Sequence, residues 1–174
     1  MNTTFTPSHI GQKAALADLK AAHEAWEAPF VTDCKTPKGT AAYVAQYAGT
    51  TKKLASLATD LGDGQNAVAF QSLAGATACV VLLYEKKTII EADMAFEKDL
   101  TRYGYEDYWT TDDGTWWNET GGRWSVSDVA THEFGHFAGL DHVPGSPELS
   151  MFPFVHDGAQ TLGLGDMLGI LGRY

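Results

Sequence analysis

The sequence predicts a single α+β domain, on three observations. Two segments carry helical patterning, residues 9–28 and 125–140. Between them lie several short β-like runs bounded by turn signals. The third is length: 174 residues suffice for one domain with a real core and are too few for two comfortable ones. A hydrophobic content of 44% and a charged content of 20% are ordinary for a globular chain. No run approaches the ~18 apolar residues that would cross a bilayer.

Taken in order, HIGQKAALADLKAAHEAWEA is Ala-rich, with Leu16, Leu19 and Trp26 spaced for one helical face and Pro29 ending the run. His9 and His23 lie in or near it without a partner at ligand spacing, so both read as ordinary surface or core histidines. Residues 40–48 suggest a strand, 50–62 a short helix closed by Gly62, and 63–71 a turn followed by a β-like run. Residues 75–96 read as a hairpin around the polar turn Glu85-Lys86-Lys87. Acids in the DGQN turn and at Asp93 admit calcium, but they lack the dense alternation of a calcium loop; turn and capping roles fit better. Residues 103–124 concentrate aromatics, Gly and acids without apolar periodicity, which predicts a long surface loop weighted toward function. The second helix, 125–140, has Ser127 or Asp128 as cap candidates. A Pro-bearing loop and a short helix at GDMLGILGRY complete the chain.

The net charge of −10 argues against nucleic acid as a partner, because phosphates require a clustered basic surface. The first residues, MNTTFTPSHIG, lack the basic and apolar regions of a signal peptide. A cytosolic protein and the mature part of a secreted one both fit, and the even cysteine count favours secretion. Cys34 and Cys79 read as a disulfide, which would stabilise the fold by ~4 kcal/mol in the chain-entropy model. Two buried thiols and a metal-masking Cys34 are the other readings.

The chemistry concentrates in THEFGHFAGLDH, residues 131–142. His132 and His136, four apart on a helix, project from one face and reach one Zn²⁺ at ~2.0–2.1 Å. Glu133 need not be a ligand; its carboxylate is placed to take a proton from a zinc-bound water. Gly139 tolerates positive φ, ends the helix and lets His142 return as the third nitrogen. Three neutral ligands leave a coordination position open, as in a catalytic zinc site rather than a structural one. A bare HExxH is moderate evidence, whereas Gly139 and His142 at fixed offsets make accident rare.

HEFGHFAGLDH resembles the HExxHxxGxxH signature of the metzincin metallopeptidases, and Leu140-Asp141 resembles the matrixin (matrix metalloproteinase-like) branch. Ser150-Met151-Phe152-Pro153 stands where matrixins have their Met-turn. LGLGDMLGI resembles their C-terminal helix, and IIEADMAFE and AHEAWEAPF resemble segments of bacterial matrixin-like proteins. The resemblance is strong over 89–174 and weak before. It implies a zincin fold: a twisted, mostly parallel sheet with an antiparallel edge strand, two long helices, and a short helix after the Met-turn. The subdomains would divide near residue 140, into about 1–140 and 141–174. It further implies a secreted, monomeric zinc endopeptidase, with His132, His136 and His142 as ligands, Glu133 as general base then acid, and Met151 as a hydrophobic floor. Protein or peptide would be the substrate, held as an added strand against the edge near Gly75, Ala76, Thr77 and Cys79. Pro153, Phe154 and Val155 would wall the pocket for the residue after the cut.

Three departures limit the transfer. No histidine lies between positions 24 and 131, so the second, structural zinc of animal matrixins lacks its usual ligands. Cys34, in TDCKTPKG, does not match the propeptide switch. Val155 stands where many relatives have tyrosine, so specificity does not carry over. His156 reads as an incidental loop histidine rather than a substrate contact or a fourth ligand. The alternatives to a zinc endopeptidase are another metzincin hydrolase of non-matrixin specificity and a non-catalytic zinc-bearing module; the intact Glu133 argues against the latter.

Overall fold

The structure, a computed structural model, describes residues 1–27, 46–57, 61–104, 106–112 and 114–174. It is a mixed α+β arrangement of three helices and two small mixed sheets. Helix α1, Gln12–Glu27, buries Ala15, Leu19, Ala22 and Trp26, an i, i+4, i+7, i+11 stripe that faces helix α2, Val126–Phe137. The two helices approach closely because α2 presents Gly135 at the crossing: a Cβ there would come 2.8 Å from the Trp26 ring and 2.1 Å from the Met151 sulfur. The Trp26 indole N–H donates to the Thr131 carbonyl (2.8 Å), which locks α1 to the middle of α2.

The first sheet has the order β1-β3-β2, with β1 Val68–Gln71, β2 Ala78–Glu85 and β3 Thr88–Glu97. β1 runs parallel to the central β3, and β2 closes antiparallel on it as the edge. The expected hairpin forms, with Lys86 at φ 57° in its turn. β3 is buried on both faces. Ala92, Met94 and Phe96 enter the core, while Glu91, Asp93 and Glu97 point the other way, each 2% exposed or less. Their carboxylates are fully employed. Glu91 accepts from the Gly62 and Gly64 amides (2.8 and 2.7 Å), Asp93 from Ser56 and Ala67 (3.2 and 2.6 Å), and Glu97 from Leu73 and Asp99 (2.6 and 3.0 Å).

These bonds explain why no helix forms over the described part of 50–62. The Ala55 amide is taken by the Gln71 side chain and the Ser56 amide by Asp93, so the segment is tied to the sheet in irregular form. Asp63 pairs with Lys53 and receives the Gln65 amide, the turn role expected of it. Of the strand expected at 40–48, residues 40–45 lie outside the described residues and 46–48 are irregular.

Two further expectations need correction. The segment 103–124 is not one long loop: it supplies the strands of the second sheet, ordered β4-β6-β5, from β4 Tyr108–Thr110, β5 Trp116–Asn118 and β6 Gly121–Ser125. Its strands are too short to display a period of two. A single mostly parallel sheet is therefore not found among the described residues; each sheet has one parallel and one antiparallel pair. The N-cap of α2 is Ser125, with Asp128 one turn in. Asp128 is fully buried, accepts the Thr115 and Gln160 amides (both 3.1 Å), and stays near the positive end of the helix dipole. Helix α3, Leu164–Arg173, closes the fold by burying Met167 and Ile170. The main hydrophobic cluster draws on all three helices and both sheets, with Trp26, Phe70, Phe96, Trp109 and Phe134 its largest members. Among the described residues no helix is long and apolar enough to cross a membrane.

Candidate metal centre and cleft

His132 and His136 leave α2 on one face, as their spacing requires. The helix then stops in a Schellman turn: the Gly139 amide bonds the His136 carbonyl (2.7 Å) and the Leu140 amide bonds the Gly135 carbonyl (2.9 Å), with Gly139 at φ +83°. The turn brings His142 back over the helix end, and the Val143 amide then bonds the Met151 carbonyl (2.8 Å). The three Nε2 atoms converge at 3.1, 3.1 and 3.2 Å from one another. Among the described residues this is the one group of three such side chains able to share a metal ion.

The arrangement fits a cation on chemical grounds. His132 Nδ1 lies 2.6 Å from the Ser150 carbonyl and His136 Nδ1 lies 2.9 Å from the Leu140 carbonyl. A carbonyl only accepts, so each ring carries its proton on Nδ1 and turns a bare Nε2 lone pair toward the other. No hydrogen bond joins two bare lone pairs, whereas a shared cation satisfies them all. Three nitrogens at ~2.0 Å from a tetrahedral ion stand ~3.3 Å apart, close to the spacing found. Burial, together with neighbouring histidines, depresses the ring pKa values: His132 to about 4 and His136 in the same direction, against a weaker opposing effect of their carbonyl bonds. Neutral imidazole, the form that ligates, is therefore favoured.

The carbonyl that orients His132 is itself anchored. Asp166 of α3 accepts the Ser150 and Met151 amides (2.9 and 3.1 Å) and the Gly163 amide (2.9 Å). Met151 is buried against Gly135, so the expected support residue packs under the helix that bears the ligands. Glu133 is 7% exposed, and among the described residues its carboxylate has no hydrogen-bond donor. Burial alone raises its pKa to about 8.

Histidines and Glu133 open on a cleft of about 900 Å³. Of the residues named for the substrate site, Thr77, Cys79, Pro153, Phe154 and Val155 line it, and Gly139 does so too. Gly75 and Ala76 do not: they precede β2, with Ala76 packed in a separate small cluster, and the cleft instead follows β2 itself through Ala78, Val80, Leu82 and Tyr84. Sequence reasoning also missed Val129 of α2 and, from the region of the second sheet, Asp107, Trp117, Asn118 and Trp124. The signal available was the aromatic and acidic composition of 103–124. Among the described residues Cys79 bonds no other cysteine; it lines the cleft, and burial and the charge of Glu133 push its thiol up to about 11, while Cys34, its expected disulfide partner, lies outside the described residues. His156 bonds the Leu149 and Asp157 carbonyls, the incidental loop role. His9 bonds the Trp109 carbonyl and His23 packs edge-on against Phe134, both away from the cluster.

Comparison with models of known protein families gives no match, and no curated protein matches the chain.

Proposed function

We propose that the protein is a zinc-dependent endopeptidase with a metzincin fold of the matrixin-like type. The observation that carries the reading is the convergence of three imidazole nitrogens, those of His132 and His136 bare, beside a buried carboxylate without a donor among the described residues, in a cleft bordered by a sheet edge. His132, His136 and His142 would hold the ion, and the carbonyls of Ser150 and Leu140 fix the first two rings. Zinc, when bound, supplies a positive charge that polarises the scissile carbonyl and acidifies water. Glu133 takes the proton of the attacking water and returns it to the leaving amine; its burial raises its basicity toward neutrality, as a general base requires. Among the described residues the outer edge of β2 pairs with no other strand and would take an extended peptide; Pro153 to Val155, which line the cleft, would wall the position following the cut. The zinc reading rests on the donor set, three nitrogens with an open position. The protein would act as a secreted monomer.

The test is cleavage of casein by metal-loaded protein, with and without a chelator, beside Glu133→Ala. The expected result is one zinc per chain, activity abolished by the chelator and restored by zinc, and no activity in the variant. Stoichiometric zinc with no cleavage of any peptide library would support a non-catalytic zinc-bearing module instead. Activity that survives chelation would remove the mechanism.

A further inference from the structure

The second sheet contains a trough that opens into the cleft. Its floor is the β6 backbone at Gly122, on the face that also carries Trp124 and, across from it, Trp117; neither Gly122 nor Gly121 has room for a side chain. A Cβ on Gly121 would meet the Glu106 backbone at 2.6 Å, and one on Gly122 would lie 2.9 Å from the Trp124 indole nitrogen and 3.2 Å from the Trp117 Cβ. β5 supplies one wall through Trp117, which stands opposite Gly122. Asp107, at the start of β4, supplies the other. The Trp117 ring stacks on Trp124 at 5.8 Å and 11°, and Trp117 remains 48% exposed. Among the described residues the Asp107 carboxylate makes no hydrogen bond or ion pair. Among the described residues no Lys or Arg lines the cleft, while Asp107, Glu133 and Asp141 do. The nearby Arg123 follows the pleat to the other face of β6 and pairs with Asp112 (3.8 Å).

We infer that this trough receives a cationic side chain, Arg or Lys, of the polypeptide substrate on the side following the cut. An open aromatic face beside an unpaired carboxylate, with no competing cation, is the arrangement that selects a guanidinium or ammonium group. The net charge of −10 favours approach of such a peptide. The position along the substrate rests on the protease reading above and follows from strand direction. The Tyr84 end of β2 lies by Arg173, which packs on Gly139, at the C-terminal end of α2. The Thr77 end is tied through Glu97 to Trp109 of β4. A strand added antiparallel to β2 therefore runs from Tyr84 toward Thr77 and delivers its C-terminal portion to the trough.

The test is calorimetric binding to zinc-loaded Glu133→Ala protein, which cuts nothing, of two peptides that differ only in arginine or its neutral isostere citrulline after the scissile position. The arginine peptide is expected to bind about tenfold tighter. Asp107→Asn brings the two affinities together, and Trp117→Ala weakens the arginine peptide most. Equal affinities in the parent protein, or a preference that persists in Asp107→Asn, overturn the inference. So does displacement of the peptide by a neutral oligosaccharide, which would reassign the aromatic wall to glycan. Binding with the arginine preference by a protein whose Glu133 form cleaves nothing would keep the trough and remove the protease reading, so the two fail separately.

Discussion

Two regions of this molecule bury carboxylates, and they do so in opposite ways. On β3, Glu91, Asp93 and Glu97 are at most 2% exposed and each receives two backbone N–H groups. On α2, Glu133 is nearly as buried and receives none from the described residues. The β3 ladder replaces water with protein donors and so fastens three irregular segments, around 55–57, 62–67 and 73, to the central strand. Glu133 carries an unrelieved desolvation cost that stability alone does not explain. A buried carboxylate with its donors in place is architecture; one kept without donors at the mouth of a cleft is reserved for a ligand or a proton.

The comparison can be broken most sharply at Glu133. Glu133→Gln is expected to lower kcat/KM for a quenched-fluorescence peptide about 10³-fold while leaving the urea midpoint unchanged or raised, because it removes an unpartnered buried acid. A marked fall in stability would place Glu133 with the ladder instead. Asp93→Ala is expected to do the reverse, costing about 3 kcal/mol in urea unfolding by orphaning the Ser56 and Ala67 amides. Its pH dependence sharpens the point. Burial raises the Asp93 pKa above its ordinary 3.8, against the two amide bonds that lower it. Between 3.8 and the raised value the folded state holds the extra proton, so this contribution to stability is present at low pH and is lost as pH rises through the window. The deficit of Asp93→Ala relative to the parent should therefore be larger at pH 3.5 than at pH 7. The smallest effect is expected at Asp166, which reaches the site only through the backbone. Asp166→Asn should weaken zinc binding about tenfold in a competition assay with a chromogenic chelator, since the Ser150 carbonyl that orients His132 loses its anchor.

The candidate metal centre was the most legible part of the sequence because its geometry is local. His132, Glu133 and His136 are placed by helical spacing, and Gly139 and His142 by one turn whose positive φ the glycine announces. Helices α1, α2 and α3 were legible within a few residues for the same reason. What was hidden depends on contacts distant in sequence. The strands of the second sheet are three to five residues long and are held by pairing across Gly121-Gly122, so no periodicity revealed them. Residues 55–57 look helical by composition, and only the acceptors on Gln71 and Asp93 show why they are not. The cleft wall formed by Asp107, Trp117 and Trp124 was legible as a functional composition and not as a surface. The substrate-binding edge was placed around Gly75 to Cys79, which overlaps only the start of β2 at Ala78, because position in the chain is a poor guide to where a strand begins.

All three candidate ligands fall within residues 132–142, and this compression would affect how the protein acquires a metal. Closing so short a loop costs little chain entropy, so a nascent or denatured chain already holds a usable chelating segment before any sheet has formed. Metal bound by the unfolded chain subtracts from the stabilisation that metal gives the native state. Zinc should therefore raise the melting temperature by less than its native affinity alone implies, and the ion can be captured during synthesis rather than after folding is complete.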